Sequence, residues 1–220
     1  MITFTDISRI YDNHAAVKDI NLKVNKGELI FVTGPSGAGK TTLLKLVYLA
    51  ERPDTGNIII AGYNTATLKE NSIPFLRRNI GVVFQDFKLL PNKTVYDNIA
   101  LALRIRGTQE GEIKNMVYNA LRLVNLRHKT ESYPLTLSGG EQQRVTIARA
   151  IVDEPTVLLA DEPTGNLDSD NARSIMDIFK EINAKGTTIM IATHNHDLFR
   201  NTGLRVHKLL DGKLAGEEVG

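Results

Sequence analysis

Hydrophobic and polar residues follow one another along the chain in two different ways, and both predict strands. In residues 2–7 (ITFTDI) and 19–24 (DINLKV) apolar and polar positions alternate, which is typical of strands with one buried face. A second kind of segment is almost continuously apolar and indicates buried strands. These segments are 29–33 (LIFVT), 156–161 (TVLLAD) and 187–193 (TTIMIAT), and two further strands are predicted at 57–62 (NIIIAG) and 80–85 (IGVVFQ).

The middle of the chain, from about Thr94 to Asp153, is largely helical in its periodicity and has no strong strand pattern. Near the C-terminus, Asp211-Gly212 between apolar segments predicts a hairpin. The order of elements predicts an α/β fold: a βαβ core with antiparallel strands at its N-terminal end and a helical lobe inserted at about 86–153. Because internal repeats, low-complexity tracts and flexible linkers are missing from the sequence, we expect residues 1–220 to form one domain.

Composition limits the classes of partner. Among 220 residues, 27 Lys and Arg nearly balance 25 Asp and Glu, so no general basic field favours nucleic acid as a partner. The sequence has no cysteine, which excludes disulfides, thiolate zinc sites and cysteine catalysis and weakly favours the cytosol. The N-terminus lacks the pattern of a secretion leader, and no apolar run approaches the roughly 20 residues that span a bilayer. We therefore expect a soluble chain.

The strongest chemical motif is GPSGAGKT at 34–41, which matches the phosphate-binding loop pattern G-x-x-x-x-G-K-[ST] without a mismatch. Its glycines let backbone N–H groups converge on phosphate oxygens, Lys40 adds a positive charge, and the Thr41 hydroxyl can coordinate Mg²⁺. A plain glycine-rich turn is the alternative, but the position between a buried strand and a helix favours nucleotide binding. The predicted nucleotide-binding residues are Gly34, Pro35, Ser36, Gly37, Ala38, Gly39, Lys40, Thr41 and Thr42.

Two carboxylates follow one of the apolar strands. Asp161 ends TVLLAD and Glu162 comes directly after it. A magnesium nucleotide needs an acidic anchor, so Asp161 is predicted to hold Mg²⁺ through water and Glu162 to polarise the attacking water. A solvated strand end is the alternative when such a pair stands alone. The phosphate loop in the same chain favours the catalytic interpretation.

A third motif, LSGGEQQRVTIARA at 137–150, places two glycines directly before an amphipathic helix. Free N–H groups and the positive end of the helix dipole at such a position attract an anion. The residues alone leave open whose anion this is.

In their order along the chain, the phosphate loop, LSGGEQQ and TVLLADE resemble the nucleotide-binding subunits of the ATP-binding cassette (ABC) family, and the resemblance covers essentially the whole chain. It implies an ATPase that uses ATP and Mg²⁺. It also implies that Ser138, Gly139 and Gly140 contact the γ-phosphate of ATP held by a second copy. Two copies would then form a head-to-tail homodimer around two nucleotides.

The resemblance also gives roles to residues that would otherwise be ordinary. Gln85 would sense Mg²⁺ and the attacking water, although alone it would be a loop glutamine. His194 would contact the γ-phosphate and Tyr11 would stack on adenine, whereas without the resemblance both are structural or packing residues. The segment 165–168 (GNLD) would lie at the dimer interface. The other histidines, His14, His128, His196 and His207, share no metal-ligand spacing.

Residues 73–103 and the form DEPTGNLD resemble the cell-division branch of the family, although relatives serving lipoprotein release and macrolide efflux share several of these motifs. The resemblance implies an FtsX-like four-span membrane partner. It places this chain on the cytoplasmic face of the plasma membrane at the division site, where it would signal to cell-wall hydrolases. A helix of the partner would dock on an apolar groove. The predicted groove floor is Phe87, Leu89, Leu90, Pro91 and Tyr96, each of which could equally be a core residue.

Two other classes of cassette protein fit the sequence less well. DNA-repair and chromosome ATPases carry long coiled coils, and this chain has no sustained heptads. Translation-factor cassette proteins hold two cassettes in one chain, whereas 220 residues accommodate one.

Overall fold

The computed structural model describes residues 1–165 and 167–220, which form ten strands and six α-helices. The strands are β1 (Ile2–Tyr11), β2 (His14–Val24), β3 (Leu29–Thr33), β4 (Thr55–Ile60), β5 (Tyr63–Asn64), β6 (Ile80–Val83), β7 (Val157–Asp161), β8 (Thr188–Thr193), β9 (Arg205–Leu210) and β10 (Lys213–Val219). The helices are α1 (Lys40–Val47), α2 (Ile73–Arg77), α3 (Val95–Arg106), α4 (Glu110–Leu123), α5 (Gly139–Ile151) and α6 (Ser169–Ala184). The predicted α/β fold is confirmed, and every predicted strand is present.

Six strands form a mixed sheet in the order β10-β9-β3-β8-β7-β6. β3 lies between β8 and β9, and the strands from β9 to β6 are parallel, whereas β10 runs antiparallel to β9. Every residue of β3, β7 and β8 is buried, as expected for parallel strands covered on both faces. The parallel strands end at one edge of the sheet, which is where ligands bind in such folds.

Alternate side chains of these strands enter two separate cores. Phe31 of β3 packs in a core built largely by α3, α4, α5 and α6. Its neighbours Ile30 and Val32 pack in a second core, together with α1 and the strands of the antiparallel sheet. The mixed sheet therefore holds the two halves of the molecule together through the opposite faces of the same strands.

The remaining strands form an antiparallel sheet in the order β2-β1-β4-β5. Its register slips between Phe4 and Ile7, where Asp6 has a φ of 51°, and Asp19 on the facing strand has a φ of 53°. Such irregularities increase the local twist of a strand pair. The sheet can therefore wrap over α1 while it stays paired.

A tight turn closes the C-terminal hairpin, which confirms the hairpin predicted from Asp211-Gly212. Asp211 and Gly212 have φ values of 45° and 74°, the signs that a type I′ turn requires. The Gly212 N–H donates to the Ala38 carbonyl at 3.2 Å, and the Gly212 carbonyl accepts from the Lys18 N–H at 2.7 Å. The turn is thus bonded to the phosphate loop that Ala38 belongs to.

Helices α3, α4 and α5 lie between β6 and β7 in the chain and share one core, in agreement with the helical pattern there. That residues 86–153 form an inserted lobe stays a prediction.

The sequence pattern missed the short helix α2, which has Pro74 in its first turn, where a missing N–H costs little. Within the described residues, no helix combines the length and the apolar character needed to cross a membrane.

Candidate nucleotide site

The phosphate loop joins β3 to α1, and two of its glycines allow no side chain. Gly34 has a φ of 153°, and a Cβ there would lie 2.1 Å from the Leu209 carbonyl oxygen. Gly39 has a φ of 101°, and a Cβ there would lie 2.2 Å from the Ala16 carbonyl oxygen. Because backbone from two neighbouring segments packs directly against the loop, these positions require glycine for space as well as for conformation.

Lys40 begins α1, and its buried side chain turns back across the loop. The ammonium donates to the Gly34 carbonyl at 2.7 Å and to the Pro35 carbonyl at 3.2 Å. It also lies 3.5 Å from Oε1 of Glu162. The loop and the predicted catalytic carboxylate are therefore brought together around one positive charge.

Asp161 is buried at the end of β7, and within the described residues its Oδ1 atom has no hydrogen-bond partner. Burial raises the pKa of this carboxyl, the nearby Thr41 side chain acts against that rise, and the charge of Glu162 adds to it. A buried carboxylate oxygen without a donor, next to the Thr41 hydroxyl, fits a hard cation such as Mg²⁺. The described residues contain no cluster of three or more His, Cys, Asp or Glu.

Glu162 leaves β7 with a φ of 45°, which is uncommon for a side chain of this size. Its carboxylate accepts from the Thr193 hydroxyl at 3.1 Å and from the His194 N–H at 3.3 Å, and Nδ1 of His194 lies 2.9 Å from Oε1. The side chain of His194 is 59% exposed, whereas that of Glu162 is 9% exposed. The carboxylate is thus fixed from the end of β8 while its histidine neighbour faces solvent.

Gln85 and Tyr11 occupy separate positions around this centre. Gln85 is exposed in the segment after β6, and β6 pairs in parallel with β7, so Gln85 follows the same sheet edge as Asp161. Tyr11 ends β1, where its hydroxyl donates to Glu51 and the Arg9 guanidinium lies 4.9 Å from its ring centroid. The ring is therefore held in place by contacts to residues outside the phosphate loop.

The glycine pair of LSGGEQQ opens α5 behind a capping box. The Ser138 side chain accepts from the Glu141 N–H at 3.3 Å, and the Ser138 N–H donates to the Glu141 carboxylate at 2.8 Å. Ser138 and Gly139 are exposed, as an anion site requires. In the part of the chain that the structure describes, no hydrogen bond joins them to the phosphate loop.

Gly140 differs from its neighbours because it is buried against the start of α6. A Cβ at Gly140 would lie 2.6 Å from Oδ1 of Asn171. Asn171 is held in turn by Asp168, which caps α6 and accepts from the Asn171 N–H and side-chain amide, both at 2.8 Å. Gly140 thus serves close packing between α5 and α6. Asn166, in the predicted interface segment 165–168, lies outside the described residues.

The predicted docking residues are exposed to different degrees. Leu90 and Pro91 are exposed, Phe87 is half-buried, and Leu89 and Tyr96 are half-buried against the helical core.

Sequence reasoning missed three residues that hold the site together: Thr193, Asn171 and Arg149. Of these, only Thr193 carried a local signal, as a polar residue at the end of a buried strand next to His194.

A model of the ABC transporter family matches residues 17–165. The chain belongs to this family. The cassette is 48% identical over 219 residues to the cell division ATP-binding protein FtsE of Bacillus subtilis (strain 168), with 99% of this chain and 96% of the relative covered. It is 46% identical to FtsE of Escherichia coli (strain K12), with 98% of each chain covered.

Two solved structures resemble the cassette over all of its length. The dimeric structure of MJ0796, a bacterial ABC transporter cassette, matches with a TM-score of 0.91 and 34% identity, covering 100% of this chain and 98% of that one. A dimer of MJ0796 in a post-hydrolysis state, bound to ADP and Pi, matches with a TM-score of 0.90 and 32% identity at the same coverage. The cassette fold is therefore confirmed, and this chain is an ATP-hydrolysing, FtsE-like ATPase. The roles of individual site residues stay predictions.

Proposed function

We propose that this FtsE-like ATPase acts in bacterial cell division, paired with an FtsX-like membrane protein that regulates cell-wall hydrolysis. The supporting observation is near-complete alignment with relatives that carry the cell-division name in Bacillus subtilis, Streptococcus pneumoniae, Mycobacterium tuberculosis and Escherichia coli. The proposal places the cassette on the cytoplasmic face of the plasma membrane, at the division site. These relatives do not favour the alternative role in lipoprotein release or efflux.

In the proposed reaction, the loop 34–41 holds the phosphates of ATP, and the Lys40 ammonium turns from its carbonyl partners to a phosphate oxygen. Thr41 and Asp161 would hold Mg²⁺, with Gln85 nearby. When bound, Mg²⁺ neutralises charge that develops on the phosphates. The unpartnered Oδ1 of Asp161 supports this assignment.

Glu162 is proposed as the general base. Its carboxylate takes the proton of the attacking water, while hydrogen bonds from Thr193 and the His194 backbone hold it in place. Because His194 is mostly exposed, its ring can turn toward a γ-phosphate. The neighbouring Lys40 offsets part of the repulsion between the base and the triphosphate.

The proposed working unit is a head-to-tail homodimer. Ser138 and Gly139 are exposed at the N-terminus of α5, where free N–H groups suit an anion presented by another molecule. The dimers of MJ0796 support the same arrangement here. ATP would close the dimer and hydrolysis would open it.

Docking of the membrane partner is proposed near Phe87, Leu89, Leu90, Pro91 and Tyr96, at the beginning of the proposed lobe 86–153. The exposed side chains of Leu90 and Pro91, beside half-buried apolar neighbours, would form one wall and the floor of a groove for an amphipathic helix. Movement of the lobe would then transmit a conformational change between the nucleotide site and the membrane partner.

Affinity capture from native membranes tests the proposal. The bait is the Glu162→Gln cassette with ATP, and the transmembrane partner is identified by mass spectrometry. Recovery of a four-span protein with wall-hydrolase associates would support the division role. Leu90→Asp should abolish that recovery, whereas Val219→Asp, at an apolar residue that is 73% exposed on β10, should not. Recovery of lipoprotein-release or efflux components would overturn the division role.

A further inference from the structure

One arginine joins α5, the helix that begins at the glycine pair of LSGGEQQ (residues 137–143, called the signature motif below), to the segment that follows β6. Arg149 lies in the last turn of α5. Its Nη1 atom donates to the Lys88 carbonyl at 2.6 Å, and its Nη2 atom donates to the Phe87 carbonyl at 2.8 Å. Both ends of the guanidinium fork are thus occupied by consecutive backbone carbonyls, a geometry that a lysine ammonium cannot reproduce.

The guanidinium of Arg149 is partly buried, and burial lowers its pKa. Across the described residues it forms no ion pair with a carboxylate, so only carbonyl dipoles compensate its charge. Burying a charge without a counter-ion costs free energy, and here the two hydrogen bonds to carbonyls offset that cost. The arrangement therefore favours a role in positioning over one in holding the fold together.

The segment that Arg149 holds lies outside any strand or helix and carries both Gln85 and part of the proposed docking surface. Lys88 has a φ of 49°, so the backbone bends sharply at the bonded carbonyls. Further along, the buried side chain of Asn98 on α3 accepts from the Leu90 N–H at 2.7 Å and donates to the Leu90 carbonyl at 3.1 Å. The segment is fixed by α5 at one point and by α3 at the next.

Helix α5 is well suited to carry a displacement along its axis. It has 13 residues and begins directly after its N-cap residue, Ser138. Its side chains Val145, Ile147 and Ala148 lie in the core. At 1.5 Å per residue the helix is about 20 Å long. Ser138 at one end and Arg149 at the other therefore move as parts of one rigid element.

We propose that Arg149 is a positioning residue that couples the signature end of α5 to the segment 85–91. A change at Ser138 when the ATP-bound dimer closes would then alter the placement of Gln85 and of the docking residues. In the opposite direction, a membrane partner seated on 87–91 would act on α5 and so on the partner cassette's nucleotide. This inference rests on the proposed function, because it assumes that the membrane partner docks on this segment.

The test compares the full-length cassette with Arg149→Lys and Arg149→Met. Arg106→Met is the control, because Arg106 also donates to a backbone carbonyl, that of Asp153, whose carboxylate it pairs with, and within the described residues it makes no hydrogen bond to the segment 85–91. Three quantities are measured: amide hydrogen exchange across 84–91, the thermal midpoint, and ATP hydrolysis with and without the captured four-span partner in lipid nanodiscs.

We expect amide exchange in 85–89 to rise about tenfold in Arg149→Met, less in Arg149→Lys, and not in the control. The ratio of partner-stimulated to basal hydrolysis should fall toward one in the same order, with ATP affinity unchanged. The thermal midpoint should stay within about 4 °C of the wild type, which separates positioning from a structural role.

Each contrary outcome identifies what fails. If the wild type is stimulated and Arg149→Met is stimulated to the same degree, the coupling role is wrong and the docking proposal stands. Unchanged amide exchange in 85–89 would also overturn the coupling role. If the partner does not stimulate the wild type, the proposed function fails and the coupling role fails with it.

Discussion

The Thr193 hydroxyl donates a 3.1 Å hydrogen bond to the Glu162 carboxylate, which joins the last residue of β8 to the residue that follows β7. Thr193 is completely buried, and its oxygen also accepts from the Asn195 N–H at 3.1 Å. One hydroxyl thus orients the proposed base and shapes the turn that carries His194. The position of the Glu162 carboxylate therefore depends on how the side chains at this sheet edge pack.

Thr193→Val should lower the turnover number about tenfold while ATP affinity stays unchanged, because the base keeps its charge but loses a donor that orients it. Thr193→Ser retains the hydroxyl and should keep most of the activity. Steady-state hydrolysis and a fluorescent-ATP titration measure both effects. Equal turnover in the valine variant and the wild type would show that this hydrogen bond does not position the base.

Glu162→Gln should lower hydrolysis by about a hundredfold or more and trap an ATP-bound dimer, because the change removes the base and relieves repulsion of the γ-phosphate. Size-exclusion chromatography with saturating ATP and Mg²⁺ measures the dimer. Glu181→Gln, at an exposed residue on α6 paired with Lys185, is the control and should behave as the wild type. A monomeric Glu162→Gln cassette would contradict the expectation.

Ser138→Arg should abolish hydrolysis while each copy still binds ATP, since Ser138 is proposed to serve the nucleotide of the partner. Thr67→Arg places the same charge at an exposed hydroxyl residue in the antiparallel half and should leave hydrolysis intact. Mixing Ser138→Arg with a Lys40→Ala cassette, which cannot hold ATP, sharpens the test. In the mixed dimer one composite site pairs an intact loop with an intact signature, so some activity should return. Normal turnover by Ser138→Arg alone would refute the shared site.

Gly140→Ala should destabilise the cassette by about 1–3 kcal/mol, because the new methyl group meets Oδ1 of Asn171 at 2.6 Å and Asp168 prevents that side chain from moving away. Removing the obstacle with Asn171→Ala should restore part of the loss in the double variant. Urea unfolding of both single variants and the double variant measures the coupling. Strictly additive effects would show that the two positions do not clash.

Stability should fall as the pH drops below about 6.5, in part because of His207. This histidine is 4% exposed, and burial lowers its pKa. The folded state therefore takes up its proton at a lower pH than the unfolded chain, which does so near pH 6.5, so acid favours unfolding by up to about 1.4 kcal/mol per pH unit in that interval. Urea unfolding at about pH 7.5 and about pH 5.5 should show a smaller pH dependence for His207→Leu. The same dependence in both proteins would exclude His207 as a source.

The features that could be predicted from the sequence are those encoded by contiguous residues. Buried parallel strands appear as apolar runs, and the phosphate loop needs its glycines within a few residues, so β3, β7, β8 and the loop were found directly. Helix α2 was missed because five residues are too few for a helical period. The contacts of Thr193, Asn171 and Arg149 join residues that are far apart in the chain. Such pairings depend on the sheet order and on how α5 packs, which no local pattern reveals.

The position of β3 between β8 and β9 has a consequence for synthesis of the chain. The strand that carries the phosphate loop leaves the ribosome long before β8 and β9, the two strands that flank it. Non-local pairing of this kind cannot form until its late members exist. The phosphate-loop sequence is therefore synthesised long before the nucleotide site can fold. ATP can act as a folding ligand only after β8 and β9 have been made, and a chain that ends before β8 lacks both strands that flank the phosphate-loop strand.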